Sequence, residues 1–409
     1  MINAGDTAWV LTCTGLVMLM TPGLAFFYGG MVRRKNILGI LMQCFIVLCV
    51  LTLQWVLFGY SLSFSPGSKF IGSLSWFGLH GVGEAPYAAY AQSIPHEAFM
   101  IFQAMFAIIT PALIIGAFAE RMKFSAFLIF MILWATFVYD PVCHWIWGVG
   151  GWLKDLGVLD FAGGAVVHIN AGIAALVTAL IIGRRNGYSN KPIPPHNLPF
   201  TVLGTALLWF GWFGFNAGSA LSAGGLAVHA IVATHVAAAT AGLTWALIEW
   251  VYAGTPTVFG TVTGSIAGLA TVTAASGYVD IFGAIVIGFV ASLVCFICVG
   301  MLKPRLGYDD SLDAFGVHGV GGILGMIATG FFATKAINPG GADGALFGNP
   351  HQVLVQVIAV GAVVVYSIVA TYVIYKVVGL FIPLRVTTKD EILGLDLSQH
   401  NEVAYTVLE

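Results

Sequence analysis

Charge is what this sequence has least of. Of its 409 residues only 8% are Asp, Glu, Lys or Arg, against about 25% in an ordinary soluble domain, while 59% are hydrophobic. That supply of charge does not cover a water-exposed surface, and it places the chain in a lipid bilayer. There is no basic run and the formal net charge is −2, so the electrostatic footprint of a nucleic-acid partner is missing. Cysteine is sparse as well. Cys13, Cys44, Cys49, Cys143, Cys295 and Cys298 all lie in or beside apolar stretches, where they read as small buried side chains. Cys295 and Cys298 form a C-x-x-C, but the absence of a second pair argues against a zinc or redox site. No H-E-x-x-H, no N-P-A repeat and no nucleophile-and-base spacing occurs. The chain therefore reads as a non-enzyme with no metal or cofactor. The first basic residue, Arg33, follows the first apolar stretch, which argues against a cleaved signal peptide.

What is present is apolar sequence in lengths of about 20 residues, the length that crosses a bilayer. Punctuation by charge, Pro and Gly gives eleven helices, near 8–31, 37–62, 97–118, 124–146, 162–183, 199–216, 227–253, 258–275, 280–301, 314–333 and 352–382. The fold class expected is all-α and polytopic, with a transmembrane domain over 1–383 and a cytoplasmic tail over 384–409. Thirteen of the sixteen basic residues (Arg33, Arg34, Lys35, Arg121, Lys123, Arg184, Arg185, Lys191, Lys303, Arg305, Lys376, Arg385, Lys389) follow or end odd-numbered helices, whereas Lys69, Lys154 and Lys335 do not. The positive-inside rule then puts the N-terminus outside and the C-terminus in the cytoplasm of an inner membrane.

The first ten helices divide into two related halves. Helix 5 begins Asp160-Phe-Ala-Gly-Gly and carries His168; helix 10 begins Asp313-Ala-Phe-Gly and carries His318. Five helices per half force opposite insertion, giving an inverted repeat with a peripheral eleventh helix and a working site near the midplane. Four histidines stand deep in spans: His168, His229, His235 and His318. A lone membrane histidine usually ties helices together, and that reading is kept for His229 and His235. His168 and His318 occupy matching repeat positions, which favours a polar pathway. At about 1.5 Å per residue, His168 lies roughly 12 Å inward from Asp160 and His318 roughly 7 Å inward from Asp313, from opposite faces.

A second constellation is aromatic: Phe26, Phe27, Tyr28, Phe102, Phe106, Trp145, Trp147, Trp209, Trp212, Phe213 and Phe215. Singly each fits a core or an interfacial belt. Trp147 stands apart, because beside a glycine-rich loop it can offer a ring face to an arriving cation. Ser219 follows helix 6 on the same side. Asp160 brings negative charge there, or caps the helix that follows it.

The stretches PGLAFFYGG (22–30), DFAGGAVVHINAGIAALVTALIIGR (160–184), FGWFGFNAGSA (210–220), DAFGVHGVGG (313–322) and GLDLSQHNEVAY (394–405) resemble the ammonium transporter family, relatives of the Rhesus proteins, nearly end to end. The resemblance implies a homotrimer with one pore per subunit, carrying ammonium or ammonia and, in some members, methylammonium. It implies an outer site of Trp147, Ser219 and Phe102 supported by Asp160, a gate of Phe106 and Phe215, and a pore with paired His168 and His318. Trp212, Tyr28 and Phe27 match pore-adjacent positions. Thr263 departs from the pattern, standing where serine is often found. For the tail the resemblance implies contacts with neighbouring subunits and with a PII-type signal protein. The alternatives to transport are an ammonium sensor, or a Rhesus-like gas channel for ammonia or carbon dioxide.

Overall fold

The computed structural model describes residues 1–188 and 193–405; Lys191, counted above among the basic residues, lies outside them, as do 406–409. Among the described residues every regular element is a helix. Eleven form the bundle: α1 (Ala4–Met31), α2 (Arg34–Phe64), α3 (His96–Phe118), α4 (Phe124–Ile146), α5 (Gly164–Ile182), α6 (Leu198–Gly218), α7 (Gly225–Ala253), α8 (Val258–Val272), α9 (Ile281–Leu306), α10 (Phe315–Phe332) and α11 (His351–Phe381). Two short helices, α12 (Thr388–Leu393) and α13 (Leu395–His400), make the tail. Ten of the eleven are long and apolar enough to cross a bilayer. The exception is α8, which ends at Val272 rather than near residue 275. The chain continues as turns through Thr273, Ala274, Ala275 and Ser276, all with no exposed surface. Non-helical backbone at that depth is tolerable because protein, not lipid, surrounds it.

Burial sorts the spans. In α3 94% of the apolar window is buried and in α5 83%, against 28% in α9 and α11, so α3 and α5 form the centre and α9 and α11 the rim. Two of the cysteines are not core: Cys49, in α2, is exposed and Cys298, in α9, is half-buried, so the small-core reading fails for them. Helix α6 lies on α1 through glycines, with Gly204 against the Phe27 backbone and Gly214 against Cys13 and Leu16. Small residues let two backbones approach closely in a membrane, where packing must do what water does elsewhere.

The repeat is also written in the backbone. Both α5 and α10 open with a widened, π-helical turn, over Gly164–Ile169 and Phe315–Gly319, and each turn holds its half's histidine. Similar turns interrupt α2, α4 and α9; what α5 and α10 share is the turn at the helix start with the histidine inside it. The repeat register differs from the expected one. Asp310, not Asp313, stands eight residues before its histidine as Asp160 does, and it accepts the Phe315 N–H at the start of α10. Burial pushes the Asp310 carboxyl up to about 6, opposed by the Lys303 ammonium. Asp313 instead pairs with Lys303.

Candidate functional site

The two histidines meet because of glycine. Gly172, four residues after His168, lies so close to α10 that a Cβ there would stand 2.1 Å from the Gly319 N. Gly322, four residues after His318, returns the arrangement: a Cβ would stand 2.7 Å from the Gly164 O and 2.8 Å from the Ile169 N. Each half thus uses the same offset to lay its backbone on the other half's histidine turn. The imidazoles stack with centroids 5.2 Å apart and planes 14° from parallel.

Around them is a narrow cavity whose other lining is apolar: Met20, Leu24, Phe27, Ile109, Leu113, Val167, Leu208, Phe215 and Ile266, with Trp212. The Trp212 indole N–H is already given to the Thr273 hydroxyl at 2.9 Å. About 10 Å³ is open to the centre of a water-sized molecule, room for about one. His168 and His318 are 1% and 3% exposed. Both ring nitrogens of His168 and Nδ1 of His318 have no hydrogen-bond partner in the protein. Buried polar atoms are otherwise almost always paired, so a guest in the cavity is their natural partner.

Above this cavity Phe106 and Phe215 face each other at 4.2 Å between centroids and 35° between planes. Phe106 also touches Phe102 at 5.0 Å and Trp147 at 5.9 Å, so four aromatic rings form one continuous wall. Beyond them opens a vestibule of about 550 Å³ lined by Trp147, Ser219, Asp160 and Gln103 among others. Trp147 donates its indole N–H to the Asp160 carbonyl at 2.9 Å, which fixes the ring. The Ser219 hydroxyl donates to the Phe215 carbonyl at 2.9 Å, so only its acceptor lone pairs remain for a guest. The Asp160 carboxylate accepts four backbone N–H groups, from Gly163, Gly164, Ala165 and Val166, at 2.6 to 3.1 Å. It is the cap of α5, and with Phe161 it lines the vestibule. Gly163, at φ 115°, makes that tight loop possible.

Two expected pore neighbours are spent elsewhere. Tyr28 is buried outside the cavity and donates to the Leu113 carbonyl at 3.0 Å, while Thr263 donates to Phe259 of its own helix at 2.8 Å. Among the described residues no group of three His, Cys, Asp or Glu is placed to hold a metal.

The Ammonium Transporter Family profile matches residues 8–405. The chain belongs to that family. An "Ammonium transporter" of Bacillus subtilis is 52% identical over 404 residues, 99% of each chain. Among solved structures, Candida albicans Mep2 aligns with a TM-score of 0.90 at 37% identity, covering 98% of this chain and 90% of that one. One titled "Sensor Amt Protein" aligns at 0.88 with 29% identity, covering 97% and 98%. The family is one of transporters rather than enzymes.

Within this family member, sequence reasoning passed over two polar residues that the structure places. Gln103, 8% exposed with a partnerless Oε1, lines the vestibule; its signal was the one amide in α3, set between apolar neighbours. His144, buried in α4, bridges the Ser63 and Ser68 carbonyls at 2.9 Å each and holds the loop after α2. Of the two histidines read as ties between helices, His229 meets the Val279 carbonyl at 2.8 Å, whereas His235 is exposed beside Trp209.

At the opposite face a buried ion network ties the loops together. Arg185 pairs with Asp309 at 2.8 Å and with Glu120 at 3.3 Å, and Arg33 pairs with Glu120 at 2.9 Å. Burial alone would raise the Glu120 carboxyl, but Arg185 and Arg33 bring it below the usual range. The tail docks there: Asn36 accepts the Leu395 N–H, Asp396 accepts the Gly39 N–H, and Arg385 pairs with Glu391.

Proposed function

We propose that the protein carries ammonium across the cytoplasmic membrane, with the vestibule outside and the tail-bearing face in the cytoplasm. Trp147, Ser219 and Phe102 take the ion, Asp160 supplies field, Phe106 and Phe215 gate, and His168 with His318 line the pore. The observation that carries this reading is the pair of partnerless imidazoles in an apolar cavity of molecular width.

Moving an ammonium-sized ion into a low-dielectric medium costs on the order of 20 kcal/mol in the idealised limit. A desolvated cation–π contact returns about 2 kcal/mol. No arrangement of aromatic rings closes that gap, so the intact ion does not cross as such. Ammonium, unlike potassium, can give up a proton. It does so at or below the vestibule; ammonia passes the two phenylalanines and hydrogen-bonds to the imidazoles, while the released proton crosses separately along the stacked imidazole pair and rejoins ammonia on the far side, so each ammonium delivered moves one charge. A methylammonium ion has the same N–H chemistry and competes at the vestibule.

The homotrimer fits one further feature. His235 is exposed on α7 between Trp209 and Phe213, costly against lipid and better covered by a second subunit. The PII-type partner would dock on the tail-bearing face, where α12 and α13 already bridge the loops. The test is electrical recording from reconstituted liposomes at fixed pH. Ammonium pulses should give a current that potassium pulses do not, and no response to either ion contradicts electrogenic carriage. The sensor-titled relative keeps a second reading in view: ion binding with no flux of any species would favour a receptor.

A further inference from the structure

Lys303, in the last turn of α9, has no part in the pathway above. Its ammonium group donates to the Asp310 carbonyl at 2.8 Å and pairs with the Asp313 carboxylate. Only 16% of the Lys303 side chain and 11% of that of Asp313 remain accessible. Both line a cavity of about 300 Å³ on the tail-bearing face, together with Arg185 and Ser311. Behind them Asp310, fully buried, keeps one carboxylate oxygen, Oδ1, without a partner.

The chemistry of this spot is that of an ammonium site. A lysine head group is a compact, strongly hydrated cation with three N–H donors, the closest side-chain likeness of free ammonium. One carbonyl and one carboxylate, screened from bulk water, hold it. The same two acceptors would hold an ammonium ion on the tail-bearing side of the histidine cavity, since Asp313 stands just ahead of His318 in the chain; on the transport reading ammonia regains its proton and leaves on this side. Arg185, the neighbouring cation, is committed to Asp309 and Glu120, so Lys303 alone fills the position.

We propose that Lys303 is a tethered occupant of an inner-mouth ammonium site, which keeps cytoplasmic ammonium from lodging there and obstructing release. A group on a short flexible tether competes at an effective concentration of roughly millimolar or above, so free ammonium below that level does not displace it. Removing the tethered cation exposes the site to the substrate.

The inference rests on the transport reading and is separable from it by experiment. Protein is reconstituted in liposomes, and vesicles with the tail face outside are removed on a tail-tag resin, which leaves those with it inside. The inward current from an external ammonium pulse is recorded with and without ammonium in the lumen. Wild type and K303R, which keep a cation in the site, lose current only as the reduced gradient requires. K303M and K303Q lose about twofold more when lumenal ammonium reaches the exposed site's dissociation constant, as single-site occupancy demands. Adding Asp313→Asn to either variant removes the extra loss. K303Q, which retains hydrogen-bond donors, carries the comparison if K303M does not assemble. Equal lumenal inhibition in wild type, K303Q and K303M overturns the Lys303 site while leaving transport intact. No ammonium current in wild type overturns the transport reading itself.

Discussion

In the proposed vestibule site Trp147 has only its ring face to offer an ion, since its N–H is spent on the Asp160 carbonyl. W147L should therefore lose the cation contact while keeping apolar bulk. A loss of about 2 kcal/mol raises the ammonium concentration giving half-maximal current by roughly 30-fold, readable from a concentration series. Glu120 serves stability instead. Its carboxyl lies below the usual range because Arg185 and Arg33 outweigh burial, so its stabilisation is present above the unfolded value and lost as pH falls through the folded one. E120Q leaves two cations short of a partner and should cost about 3–5 kcal/mol near neutral pH. In thermal unfolding of the solubilised protein, that deficit should shrink below about pH 4.3, the ordinary glutamate value. The histidine pair was legible in sequence because the same residue recurred at matching places in two halves. Its aspartate was misread: Asp313-Ala-Phe-Gly imitates Asp160-Phe-Ala-Gly, yet Asp310 is the cap, and only the backbone hydrogen bond to Phe315 shows it. Gln103 escaped because an isolated amide among apolar neighbours carries no spacing signal.

Helices α5 and α10 are placed by close backbone contact rather than by side-chain recognition. Alanine at Gly322 would put a methyl group 2.7 Å from one backbone atom and 2.8 Å from another, where no flexible side chain can move aside. G322A should cost about 1–3 kcal/mol and reduce ammonium current by displacing the imidazoles. G361A, in α11 with nothing within 4 Å, should leave both unchanged; equal effects at the two positions would refute the packing argument. Ten of the eleven helices were readable because hydrocarbon thickness sets their length. The end of α8 was not, since a buried run of turns looks as apolar as a helix.

The whole molecule sets a vestibule, an aromatic constriction and a narrow, mainly apolar cavity in succession, with an ion network and a docked tail at the far face. The tail's place was not legible: Asn36 meeting Leu395 and Gly39 meeting Asp396 are contacts across the full length of the chain, and no local pattern announces them. The account stands or falls on the imidazole pair as the polar lining that lets ammonia through a passage closed to ions. H168A/H318A, reconstituted and shown to be folded, should be recorded with ammonium and potassium pulses at fixed pH. The expected result is a reduced ammonium current and a diminished preference for ammonium over potassium; undiminished ammonium current with potassium still excluded would contradict it.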